Sequence, residues 1–288
     1  QVAGLTDPEN THYHMIFTGN PGTGKTTVAR MAADLFHRMG ILKTNTLVAG
    51  KPSDLISEWI GGTGPKDMEM IRRAHNGVLF LDEFPEFSRQ AMEVLRAPIE
   101  DGRVTISRAN GRFTYPCEFS LVAAMNPCPC GFYGHPKKKC ICSQGAVRSY
   151  LGKISGPMLD RLDIHVEVPA VEYEELTGKA DGETSAEIRK RVEAARALQQ
   201  ERYKGTGVNC NARLTSALIQ KYCVLTPLAD KVLKEAFERM GMSARSYDRI
   251  LKIARTVADL DGAESIDVQH ISQAIRFRSL DRKYWSEL

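Results

Sequence analysis

The segment Gly19-Asn20-Pro21-Gly22-Thr23-Gly24-Lys25-Thr26 follows the order G-x-x-x-x-G-K-[ST]. Each residue type answers a need of phosphate chemistry. Glycines let backbone N–H groups wrap an anion, and the start of a helix adds positive potential. Lys25 offers charge to the β- and γ-phosphates of a nucleotide, the Thr26 hydroxyl offers a ligand to Mg²⁺, and Thr27 closes the binding segment. A glycine-rich turn before an amphipathic helix is the plainer alternative, but it does not require the whole pattern. Further on, the apolar run Val78-Leu79-Phe80-Leu81 ends in Asp82-Glu83. In open α/β sheets ligands gather at the carboxyl ends of strands. There Asp82 would hold Mg²⁺ and Glu83 would polarise an attacking water; two solvated acids are the alternative.

A second cluster is built on sulfur. Of seven cysteines, Cys128, Cys130, Cys140 and Cys142 fall within fifteen residues, as two C-x-C pairs. Four soft thiolates suit tetrahedral Zn²⁺ in a structural role, because four protein ligands leave no open position. His135 is a spare ligand candidate, and Lys137-Lys138-Lys139 would offset the thiolate charge. Four reduced cysteines in a loop remain the alternative. Such crowding argues for a reducing compartment, the cytoplasm, over a secreted disulfide scaffold. Cys117, Cys210 and Cys223 read as ordinary core or surface residues.

These groups need a frame. Strands are expected at His14–Thr18, Val78–Leu81, Phe119–Ala124 and Ile164–Val168, with a helix from Thr27 to Met39 stopped by Gly40. Apolar runs alternating with amphipathic stretches describe a parallel sheet flanked by helices. After about residue 170 the pattern changes. Gly178–Gly182 reads as a linker, and Thr184 with Glu187 reads as a capping box opening a helix to about Tyr203. From Leu214 apolar residues recur at helical spacing, among them Leu228, Leu233, Phe237, Ile250, Ala254, Val257 and Leu260. The division expected is an α/β core at 1–170, a linker and helix at 171–204, and an all-helical lid at 205–288.

Composition excludes other classes. A net charge of +4 is too small for a polybasic protein, so nucleic-acid contacts must come from local patches. No apolar run nears the roughly 20 residues of a membrane span. The amino terminus has neither Met nor an apolar signal core, and reads as the cut edge of a longer parent.

The phosphate loop with Leu-Asp-Glu resembles an AAA+ ATPase, a P-loop NTPase fold with a helical lid. From His75 onward, HNGVLFLDEFPEFSRQAMEVLRAPIEDGRVTISRA, NPCPCG and GPMLDRLDIHVEVP resemble the magnesium-chelatase-like YifB/ComM branch. The resemblance implies ATP hydrolysis in a homo-oligomeric ring, a hexamer, with Asn126 as sensor 1. It implies Arg161 as an arginine finger reaching a neighbour's γ-phosphate, and Arg245, or else Arg249, as sensor 2. A surface ion pair for Arg161 and a solvated helix face for Arg245 and Arg249 are the plainer alternatives. Residues 11–66 instead resemble the CbbX/sporulation-protein-K type, with a seam near Gly62–Ala74. The histidine-containing segment expected before the second motif is absent.

Two features bear on what such a motor moves. Residues 103–118 alternate on both sides of Asn110-Gly111, a strong hairpin signal. Arg108 and Arg112 beside its tip could hold a nucleic-acid backbone; solvated arginines on a structural hairpin are the alternative. Trp59-Ile60-Gly61 resembles the aromatic pore loop that grips polypeptide, or is a buried Trp at a helix end. DNA translocation of the helicase or branch-migration type is the favoured reading, and protein remodelling the second. An ATP-gated assembly module or a chelatase-type motor subunit follows.

Overall fold

The computed structural model describes residues 13–38, 42–52, 65–108, 111–169 and 182–278, which fall into two compact units. The first is built on β1 (Met15–Thr18), β2 (Leu47–Gly50), β3 (Val78–Leu81), β4 (Arg103–Arg108), β5 (Gly111–Pro116), β6 (Ser120–Met125) and β7 (Ile164–Glu167). Five of these form a parallel sheet in the order β2-β3-β6-β1-β7. β4 and β5 pair separately as an antiparallel hairpin, Arg108 opposite Gly111.

The sheet is covered on both faces, which is why β1, β3 and β6 read as unbroken apolar runs. Met15, Phe17, Val78, Phe80, Val122 and Ala124 pack with Ala29 and Ala33 of α1 (Lys25–Arg38). Alternate residues, Ile16, Leu79, Leu81, Leu121, Ala123 and Met125, face the opposite way. They share a core with Met92, Leu95 and Ile99 and with Val147, Leu151 and Leu162. The period of two thus sorts one strand set into two cores.

Two sequence expectations change here. β2 is an additional strand between the first and second expected ones. Leu-Val-Ala-Gly offers only three apolar residues before a glycine, too short a run to announce itself. Helix α1 starts at Lys25 rather than Thr27, so Lys25 and Thr26 stand in its first turn.

The second unit is helical: Ser185–Arg202, Ser216–Tyr222, Pro227–Met240, Ala244–Leu260 and Val268–Arg276. Its first helix is capped by the reciprocal Thr184–Glu187 pair. Leu233, Ile250, Ala254, Ile266 and Ile271 form its core, whereas Leu228, Phe237 and Leu260 are exposed. Beside that core lies a charge cluster that apolar periodicity gave no sign of. Buried Asp259 accepts from Arg202 (2.6 and 3.0 Å), Arg255 (3.1 Å) and Asn211 (2.8 Å). The remaining Arg255 donors reach the carbonyls of Ala263 and Glu264. A buried charge is tolerable when its donors and acceptors are satisfied in this way.

Candidate functional site

The phosphate-loop motif leaves the carboxyl end of β1, the strand between β6 and β7. The Gly19 N–H donates to the Met125 carbonyl at 3.3 Å. A Cβ on Gly19 would lie 2.4 Å from the Val168 carbonyl oxygen, so glycine is required there by contact. Gly22 and Gly24 are required for a different reason. Both have φ +80°, and a Cβ on either would meet nothing within 4 Å. The loop is therefore an open, left-handed turn with free space above it.

Lys25 is nine-tenths buried, and its Nζ donates to the carbonyls of Gly19 (2.8 Å) and Asn20 (2.9 Å) and to Asn126 Oδ1 (3.1 Å). Burial lowers its pKa, and the nearby Asp82 opposes that shift. A buried ammonium bonded to three neutral oxygens, beside an open loop at a helix start, fits a polyanion. Thr26 Oγ1 donates to Asp82 Oδ2 at 3.2 Å, bringing together the two residues expected to hold Mg²⁺. Thr23 is buried with its hydroxyl on the Asn20 carbonyl, and Thr27 is exposed.

Asp82-Glu83 follows β3 and Asn126 follows β6, so three strand ends supply the site. Glu83 has φ +54° and ψ +43°, a conformation costing a non-glycine residue about 1–3 kcal/mol. Burial of Phe84 and Pro85 just beyond it anchors the turn, and the Glu83 carboxylate stays exposed. The Glu83 N–H donates to Asp82 Oδ1 at 3.0 Å, orienting that carboxylate. Sequence patterning names both acids but not the strained turn that separates their roles.

Arg161 is 4% exposed and folded onto its own chain. Two of its nitrogens donate to Glu100, and a third donates to the Pro157 carbonyl at 2.6 Å. Arg245 is exposed and Arg249 half-buried on the helix Ala244–Leu260. The backbones of Arg108 and Arg112 belong to β4 and β5, while their side chains lie outside the described residues, as does Trp59-Ile60-Gly61.

The four clustered cysteines come together. Cys128, Cys130, Cys140 and Cys142 have all their sulfurs within 4.8 Å of one another. The 128–130, 128–140 and 130–140 separations are 3.4, 3.7 and 3.6 Å. Sulfurs at 2.3 Å around a tetrahedral ion stand about 3.8 Å apart, so the set matches a metal-sized tetrahedron. Backbone N–H groups of Phe132 and Ile141 pull the Cys130 thiol down to about 6, whereas burial foremost pushes Cys128 up. These four cysteines could hold a metal. His135 instead accepts at Nδ1 from the N–H groups of Lys137 and Lys138. Cys117 and Cys223 are buried and Cys210 is half-buried, none of them in a disulfide.

Known proteins match this arrangement. The model of magnesium chelatase subunit ChlI covers residues 49–176, and that of the ChlI C-terminal region covers 182–278. YifB of Salmonella typhimurium is 36% identical over 94% of this chain and 56% of its own length. Competence protein ComM of Haemophilus influenzae is 38% identical over the same shares. This chain thus spans a little over half of those relatives. CbbX of Cereibacter sphaeroides is 43% identical over 99 residues, 31% of this chain and 32% of that protein. The ChlI match begins well before His75, so residues 49–66 fall within it as well as within the stretch read as CbbX-like. Among the described residues no helix is long and apolar enough to cross a membrane. The chain belongs to the magnesium-chelatase-like AAA+ family.

Proposed function

We propose that the chain is the ATP-hydrolysing motor segment of a ring, a homohexamer acting on DNA in the manner of a helicase or branch-migration enzyme. The observation that carries this reading is the meeting of Lys25, Thr26, Asp82 and Asn126 at the carboxyl ends of three neighbouring strands, with Glu83 beside them. Bound ATP with Mg²⁺ would supply the phosphoanhydride bond that is cleaved. Gly19 to Thr27 would hold the phosphates, Lys25 exchanging its neutral oxygens for theirs. Thr26 and Asp82 would hold the magnesium ion. Exposed Glu83 would take the proton of the attacking water, and Asn126 would orient that water. Arg161 of a neighbour would complete the site, and Arg245 or Arg249 would report nucleotide to the helical unit. The cysteine set would hold Zn²⁺ in a structural role, and the reduced thiols suit the cytoplasm.

A second reading, protein remodelling, rests on the resemblance of Trp59-Ile60-Gly61 to an aromatic pore loop. A chelatase-type motor subunit is favoured by the ChlI match. One experiment separates them: the ATPase rate alone, with single-stranded or branched DNA, and with unfolded polypeptide. Stimulation by DNA that fades steeply with salt is expected. Stimulation by polypeptide, lost in Trp59→Ala, would replace the DNA reading. Failure of Lys25→Ala to abolish nucleotide binding would remove the ATP site itself.

A further inference from the structure

Gly131 joins the cysteine cluster to the phosphate loop. The Gly131 N–H donates to the Cys128 carbonyl at 2.9 Å, and the Tyr133 N–H donates to the Cys128 sulfur at 3.3 Å. The Gly131 carbonyl accepts from Asn20 Nδ2 at 2.6 Å. Gly131 has φ +82°, and a Cβ there would lie 2.5 Å from Pro21 Cγ. The turn that carries Cys128 and Cys130 therefore lies flat against Asn20-Pro21, the outer wall of the loop. From the other side, Asn20 holds the loop's shape through its own carbonyl, which accepts from both Lys25 and Thr23.

A second link runs along the backbone. Asn126, whose Oδ1 accepts from Lys25, stands two residues before Cys128. Residues 126 to 142 contain no helix or strand, so their path rests on local turns and on the sulfur cluster that joins their two ends. Cys128 is fully buried against the main core, with Cys130, Cys140 and Cys142 packed beside it.

We propose that a tetrahedral divalent ion of the zinc type, bound by Cys128, Cys130, Cys140 and Cys142, holds the phosphate loop in its binding shape through Gly131, so that nucleotide affinity depends on metal occupancy. The proposal rests on the ATP-binding reading above and adds a control to that site. An ion that ties both C-x-C pairs together fixes the Gly131 carbonyl against Asn20 and fixes Asn126 against Lys25. Without the ion nothing ties the two C-x-C pairs to each other, and both contacts loosen. This differs from a metal that merely stabilises the fold, because the coupling passes through one hydrogen bond and one backbone contact that can be cut separately.

The test uses the whole chain and reads metal content and nucleotide affinity independently. Metal is measured by elemental analysis, and site geometry by the visible spectrum of the Co²⁺-substituted protein. Affinity is measured with a fluorescent ATP analogue in Mg²⁺, on protein as purified, after stripping by a thiol reagent and chelator, and after Zn²⁺ is returned. One ion per chain is expected, with affinity falling at least tenfold on stripping and returning with Zn²⁺. Gly131→Ala keeps all four ligands but is incompatible with Pro21; it should retain zinc and still lose affinity tenfold. Protein lacking metal when grown with ample zinc would overturn the site. Unchanged affinity after stripping, or in zinc-loaded Gly131→Ala, would overturn the coupling. A zinc-replete chain that binds no nucleotide would remove the ATP reading and the coupling with it, while leaving the metal site measured.

Discussion

At Glu83 a carboxylate is set apart from its neighbour by backbone conformation alone. Asp82 points to Thr26 and accepts the Glu83 N–H, both of which suit a magnesium ligand. Glu83, in the left-handed region and exposed, makes no side-chain cap to the short helix it precedes. A general base gains from that freedom, since it must meet a water and not a protein donor. Glu83→Gln keeps size and polarity but removes the basic lone pair. Turnover should fall 10²–10⁴-fold while nucleotide affinity stays within about threefold, measured by phosphate release and equilibrium binding. Turnover within tenfold of the parent chain would assign the water to another group. Asp82→Asn should act on Mg²⁺ dependence instead, because it weakens a metal ligand.

At the scale of elements, the hairpin β4–β5 joins the core at its base and leaves Thr105, Thr114 and Tyr115 exposed. Gly102, φ +60°, ends the preceding helix and turns the chain into β4, and its carbonyl accepts the Cys117 N–H at 2.9 Å. Val104 and Cys117 are buried at this base, whereas Thr105 and Thr114 pair on an exposed face at 3.0 Å. Asn110-Gly111 announced a hairpin here, although Gly111 is not part of the turn but the first residue of β5, paired with Arg108. The capping box at Thr184 and the strands with four buried residues were legible for similar local reasons. β2 was not, since what makes Leu47–Gly50 a strand is pairing with β3, a long-range contact without a local signature. Arg161 was read as a residue for solvent or a neighbour, and its burial against Glu100 depends on a helix sixty residues away. The left-handed turns at Gly22 and Gly24 were legible because their constraint is local, whereas Gly19 answers to the distant Val168 carbonyl and gives no local sign of it. If the hairpin grips DNA, Arg108→Ala with Arg112→Ala should weaken single-stranded DNA binding. The slope of log affinity against log salt should drop by about 1.4 per engaged subunit. An unchanged slope in fluorescence anisotropy across a salt series would place DNA elsewhere.

The whole molecule sets where Arg161 can act. It stands just before β7, at the amino-terminal edge of the sheet, where Asp163 accepts the His14 N–H at 3.1 Å. The phosphate loop leaves the opposite edge, a strand length of about 13 Å away. Arg161 is thus on the far side of the sheet from its own phosphate loop, and the catalytic role proposed for it would have to be played at a neighbouring chain's site. Its present partners, Glu100 and the Pro157 carbonyl, would then be a resting position released on assembly. A purely structural arginine would look the same in one chain, so the distinction lies in mixing. Arg161→Ala and Lys25→Ala should each be inactive alone. Mixed in equal amounts before assembly, a Lys25→Ala subunit lends its intact Arg161 to a neighbour with an intact phosphate loop. About a quarter of the interfaces are then complete, and ATPase activity should rise toward that fraction of the parent chain. No recovery on mixing, together with a lowered thermal midpoint in Arg161→Ala, would show that the Glu100 pair holds the fold together. The neighbour's contribution would then have to come from another residue.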